Sequence, residues 1–144
     1  MKTGKSGDKY QPSILKLDID TRYFNKFLKD FVKRYRRVKY SISIKIKETK
    51  VYQTNRGYHI ELILNKKILP YEVIFYQLLF LSDTNREVFN LRRLRFRRTT
   101  INEWNILHDG KYDSKTKKFI FRKRTTSLET RLMYIINMEE IEND

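Results

Sequence analysis

TNRGYHIELIL, residues 54–64, is the stretch on which the reading of the chain turns. Tyr58, Ile60, Leu62 and Leu64 alternate with His59, Glu61 and Ile63, the two-residue period of a strand with one face on a core. His59 is one of only two histidines in the chain and follows Gly57 on the more polar face. The segments before it have the same character. In SILKLDID (13–20) Leu15, Leu17 and Ile19 oppose Lys16, Asp18 and Asp20. In KYSISIKIKET (39–49) Tyr40, Ile42, Ile44 and Ile46 oppose Ser41, Ser43, Lys45 and Lys47. Between these two, Phe24, Phe27, Leu28, Phe31 and Tyr35 recur at helical spacing within 21–37.

Working outward from the central strand, Pro70 stands where a helix starts, and YEVIFYQLLFL (71–81) is apolar nearly all round, which predicts a buried helix. SDTNR interrupts it and EVFNLRRLRF is helical again. EWNILH (103–108) and KKFIFRKR (117–124) read as the strands of a hairpin around DGKYDSKT. Thr126 and Glu129 have the spacing of a capping box that opens a last helix with Leu128, Leu132, Ile135 and Ile136 on one side. The order β-α-β-β-α-β, then a hairpin and a helix, predicts an α+β, ferredoxin-like (RNA-recognition-like) sandwich. One domain over 13–138 is expected, between a flexible lead-in at 1–12 and an acidic tail at 139–144.

The charge is far from balanced. Thirty-two Lys and Arg face 17 Asp and Glu, a net charge of +15, while 40% hydrophobic residues rule out a disordered polycation. The cations sit inside folded segments, in KRYRR (33–37), RRLRFRR (92–98) and KKFIFRKR. That pattern predicts a polyanionic partner, DNA or RNA, held by its phosphates. The chain has no cysteine, so disulfides and thiolate metal sites are excluded and a cytoplasmic setting is expected. VIFYQLLFLS is well short of the ~20 residues that span a bilayer, so no membrane partner is expected. Glycine-rich phosphate loops, zinc spacings and nucleophile elbows are absent from the sequence.

The open face of the predicted sheet collects Lys16, Asp18, Asp20, Ser41, Ser43, Lys45, Lys47, His59 and Glu61, with no aromatic residue from those strands. Asp18 and Asp20 point the same way, about 7 Å apart, a spacing that suits one or two Mg²⁺ or Mn²⁺ ions. The plainer alternative has Asp20 capping the helix and Asp18 paired with a lysine such as Lys45. Asp83 is either the N-cap of the next helix or a third metal ligand. Lys45, Lys47, Arg56 and Arg86 are placed to meet phosphates, and Arg92, Arg93, Arg95, Arg97 and Arg98 to grip a nucleic-acid backbone.

LDID at 17–20, RGYHI at 56–60 and LSD at 81–83 together resemble the motifs of the archaeo-eukaryotic primase superfamily. GYH followed by SDTNREVFNLRR is also similar to short proteins of archaeal viruses and plasmids. The resemblance covers roughly residues 13 to 98. It implies an RNA-recognition-like core in which Asp18, Asp20 and Asp83 bind Mg²⁺ or Mn²⁺ and His59 contacts the phosphates of an incoming nucleotide. It also implies replication proteins as further partners, in the cytoplasm of a host cell if the source is viral. Two functions follow as expectations: a nucleic-acid-binding protein on a primase-like fold, or a minimal metal-dependent nucleotidyltransferase with His59 as its catalytic residue.

Overall fold

The computed structural model describes residues 11–39, 41–42, 44–96, 104–108 and 110–141. Three strands make its centre: β1 (Ile14–Ile19), β2 (Ile46–Gln53) and β3 (Tyr58–Leu64). β3 lies between the other two and runs antiparallel to both. Its alternation is the predicted one. Leu15, Leu17, Ile60, Leu62 and Leu64 are almost fully buried, and each contributes about 1.5–3 kcal/mol of burial.

Helix α1 (Phe24–Val38) covers this face with the five residues read from its spacing, Phe24, Phe27, Leu28, Phe31 and Tyr35. Phe24 meets Tyr58 of β3 edge to face at 5.1 Å. The last helix, α4 (Thr126–Ile141), adds Leu132 and Ile136 to the same core. Glu129 does not fold back on its own helix as a capping box. Its carboxylate accepts from the Val51 N–H of β2 at 3.0 Å and from Arg124 at 2.8 Å. The expected acidic tail also begins too early. Glu139 lies in the helix, 4% exposed, and pairs with Arg36 of α1 and with Lys39, which caps that helix.

Two departures from the sequence reading shape the open face. The first is a β-bulge in β2: Ile46 pairs with Leu64, but Glu48 pairs with Ile63, leaving Lys47 as the extra residue. Even-numbered residues point inward before the bulge and odd-numbered ones after it, so Thr49 and Val51 are buried while Lys50 and Tyr52 turn outward. The strand therefore starts at Ile46, later than the predicted 39–49, and extends through what reads as a connection, so an aromatic residue reaches the open face after all.

The second concerns the fourth strand. Trp104–His108 forms no strand, and among the described residues no strand pairs with β1 on the side away from β3, where the ferredoxin-like order requires one. The sheet order is β1-β3-β2-β6, with the two-residue β6 (Lys123–Arg124) on the far side of β2. The expected hairpin is real but shorter and later: β4 (Gly110–Asp113) with β5 (Lys118–Phe121).

Side chains close the exposed edge of β1 instead. They come from α2 (Pro70–Leu79), α3 (Thr84–Phe96), the turn between these helices and the turn at Asn105, with one backbone N–H, that of Asp83, joining them. Gln77 Oε1 accepts from Lys16 N–H at 2.8 Å and Ser82 Oγ from Asp18 N–H at 3.0 Å. Arg86 donates to Lys16 C=O at 2.6 Å, Asn105 to Ile14 C=O at 3.3 Å, and the Asp83 N–H to Asp18 C=O at 2.8 Å. An edge satisfied in this way offers no ladder to another strand.

Gln77 also corrects the reading of α2 as buried all round. Its buried side is Val73, Ile74, Tyr76 and Gln77, whereas Tyr71, Phe75 and Leu78 are exposed. The helix ends in a Schellman turn, with Ser82 N–H bonded to Gln77 C=O and Leu81 N–H to Leu78 C=O. Leu81 sits at the left-handed position (φ 77°) where glycine is usual, a cost of about 1 kcal/mol.

Candidate functional site

The register places three residues side by side across the open face: Asp18 opposite His59, and His59 opposite Tyr52. Arg122, in the turn between β5 and β6, reaches over this row. Its guanidinium lies 3.8 Å from the centre of the Tyr52 ring, 3.2 Å from His59 Nδ1 and 3.6 Å from Glu61 Oε2. Arginine only donates, so Nδ1 is the acceptor and the histidine proton resides on Nε2. Nε2 faces Asp18 Oδ1 at 3.6 Å, too long for a hydrogen bond.

Burial and the nearby positive charges of Arg122, Arg86 and Lys111 lower the pKa of His59 to about 4, so the ring is neutral at physiological pH. The carboxyl of Asp18 is pushed up, first by burial and then by Asp83 and Asp20 against the pull of Arg86. Gly57 belongs to the same corner. A Cβ there would lie 1.9 Å from Ile19 C=O, so only glycine lets the β2–β3 turn pack against the end of β1.

Beside this row a cleft of about 330 Å³ opens between the end of β1, the first turns of α1 and the α2–α3 turn. Asp18, Asp20 and Asp83 all line it, joined by Asp30 and Lys26. The three carboxylates picked from the sequence thus share one cleft. They do not converge: among the described residues no three Asp, Glu or His side chains stand close enough together to hold one metal ion. Asp83 is also an N-cap, its Oδ2 accepting from the Arg86 N–H at 3.0 Å.

The predicted phosphate contacts scatter. Arg56 is exposed in the β2–β3 turn beside the cleft corner. Lys45 is hydrogen-bonded to Asn65 just past the far end of β3, about 20 Å from His59 at the rise of a strand, and Lys47 is the exposed bulge residue. Arg92 and Arg95 are exposed on the outer face of α3, lining a shallow groove with Val88, Leu91 and Phe96. Arg93 is half-buried and donates to Asn90 at 3.1 Å. Arg97 and Arg98 lie outside the described residues.

Arg86 faces inward. It is 9% exposed and donates to Lys16 C=O, Ile106 C=O, Glu87 and Asn105, so its charge is held inside the fold and away from any phosphate.

The residues missed in the sequence are Tyr52, Arg122, Lys111, Lys26 and Asp30. Tyr52 was hidden by the bulge. Arg122 had a signal, since it continues the alternation Lys118, Ile120, Arg122 within a basic strand, but nothing local says that it crosses to His59. No family model, no curated protein and no solved structure matches this chain.

Proposed function

We propose that the protein binds nucleic acid through its phosphate backbone, on a core related to the RNA-recognition-like fold of primases. The observation that carries this reading is the separation of charge. Of 17 carboxylates, Glu87, Glu129 and Glu139 are buried against basic partners. With 32 cations in the chain, even one-to-one pairing leaves fifteen without a carboxylate. Arg92 and Arg95 on α3 and the lysines of the β4–β5 hairpin are exposed among them. A surface of this kind gains affinity by releasing counter-ions from phosphates. The primase-like ancestry is supported by the β1-α1-β2-β3 half of the fold, with β3 between β1 and β2 and the LDID and GYH motifs side by side.

The test is fluorescence anisotropy with labelled DNA and RNA across a salt series. The expected result is affinity that falls steeply with salt and drops in an Arg92→Ala/Arg95→Ala variant. No binding at low ionic strength would overturn the reading.

A second reading, a metal-dependent nucleotidyltransferase, is favoured by one observation: Asp18, Asp20 and Asp83 line a single cleft next to a neutral His59. In it His59 would hold its Nε2 proton toward a phosphate oxygen. The carboxylates do not form a ligand set as they stand, so no step is assigned to a metal. Mn²⁺ line broadening in NMR distinguishes the two readings. Broadening centred on Asp18, Asp20 and His59 that disappears in Asp18→Asn favours the enzyme; a protein that binds nucleic acid as well or better after that change is a binder alone.

A further inference from the structure

We infer that the β4–β5 hairpin is a stacking platform for the bases of a single-stranded nucleic acid, with Tyr112, Phe119 and Phe121 as its rings. This rests on the nucleic-acid reading above and names the form of ligand. Cross-strand partners share a face, and Tyr112 pairs with Phe119 while Gly110 pairs with Phe121. The alternation of β5 puts Phe119 and Phe121 on that same face, so all three rings stand together. None belongs to the core: Tyr112 is 63%, Phe119 49% and Phe121 66% exposed. Phe119 and Phe121 are already in contact, with ring centres 4.7 Å apart. A Cβ at Gly110 would lie 2.2 Å from Ile120 C=O and 2.6 Å from the Phe119 ring, so glycine lets both the backbone and the ring pack there. A two-stranded ribbon is marginal in water, and leaving three large rings exposed on one calls for a ligand that covers them.

The charge of the ribbon decides which ligand. Residues 110–124 carry five lysines, Lys111, Lys115, Lys117, Lys118 and Lys123, against the single acid Asp113, beside Arg122 and Arg124, which pair with Glu61 and Glu129. The Asp113 carboxylate is turned into the loop, accepting from Lys115 N–H and the Thr116 hydroxyl. Aromatic rings in a setting this cationic suit a polyanion with exposed flat apolar groups, which is a single strand; a duplex hides its base faces. The other side of the ribbon faces the open-face row. Lys111 is near enough to Asp18 and His59 to shift both, and Arg122 continues directly from β5 to His59. A strand stacked on the rings is therefore bound on the side of the ribbon turned away from the Asp18–His59 row.

The probe is a labelled oligothymidylate of about fifteen nucleotides, compared with a blunt duplex of equal length. Phe119→Ala/Phe121→Ala is expected to weaken single-strand binding on the order of 100-fold while leaving the duplex affinity and the salt slope unchanged. Phe119→Leu/Phe121→Leu keeps the apolar volume and the strand, and is expected to lose nearly as much. If wild type binds the oligothymidylate and either folded double variant binds it equally well, the stacking platform is wrong and the backbone-binding reading stands. If wild type binds neither probe at low salt, the reading beneath it is wrong as well.

Discussion

Two polar clusters lie on either side of β1, built from the same residue types and put to opposite uses. At the edge of β1, Glu87 accepts from Gln77, Ser82, Arg86 and Asn90, and nearly every polar atom has a partner at 2.5–3.3 Å. On the open face, Asp18, His59, Glu61 and Arg122 are partly exposed, with ion-pair distances of 3.6 Å and a hydrogen bond from Arg122 to His59 at 3.2 Å. The first cluster is saturated and the second is slack. Saturation marks a structural role, because buried polar groups stabilise a fold only when all of them are satisfied. Slack marks a surface that still has hydrogen bonds to give. The arginine of the SDTNR segment thus belongs to the architecture, and the histidine of GYH to the surface.

The hardest test of that contrast is Glu87→Ala. It strips the carboxylate from a buried guanidinium, and is expected to cost about 3–5 kcal/mol in urea-induced unfolding. A loss below about 1 kcal/mol would mean that the cluster does not hold the β1 edge.

A smaller effect is expected from His59, and it depends on pH. The folded ring takes up its proton near pH 4 and an unfolded one near 6.5, so between those values the unfolded chain holds more protons. Its contribution is complete above pH 6.5 and is lost as pH falls toward 4. Thermal melts from pH 7 to 4.5 should show wild type losing on the order of 2 kcal/mol more than His59→Asn. Parallel curves would place the ring in a far wetter setting than its neighbours indicate.

The smallest effect is expected from Asp18→Asn. Its side chain is 38% exposed, stands 3.6 Å from His59 and feels the opposing charges of Arg86, Asp83 and Asp20, so stability should change by no more than about 0.5 kcal/mol in the same melts. A loss comparable to that of Glu87→Ala would erase the distinction between the clusters.

Much of the fold was legible locally. The faces of β1, α1 and β3 follow from periods of two and 3.6 residues, because burying one face is a property of neighbouring positions. The shared cleft of Asp18, Asp20 and Asp83 was within reach of the same reasoning, since an aspartate at the end of a strand and another after a buried helix both fall at the same end of a sheet. The polar residues of α2 and α3 were legible only as oddities. Gln77 amid YEVIFYQLLFL announces a buried amide in need of partners, but besides Glu87 in the next helix its partners are Lys16 and Asn105, 61 and 28 positions away.

What the sequence by itself determined is the α+β class, the strands β1 and β3, the excess of positive charge and the identity of the residues where the end of β1 meets the start of β3. What only the tertiary structure decided is which of these residues meet. A single bulge reverses the facing of half of β2 and brings Tyr52 beside His59. Side chains from α2, α3 and Asn105 close the β1 edge, so the last strand pairs with β2 instead. Arg122 crosses 63 positions to fix the histidine tautomer. Periodicity records the environment of a residue relative to its neighbours in the chain; these three events depend on hydrogen bonds between distant segments, and no local pattern encodes them.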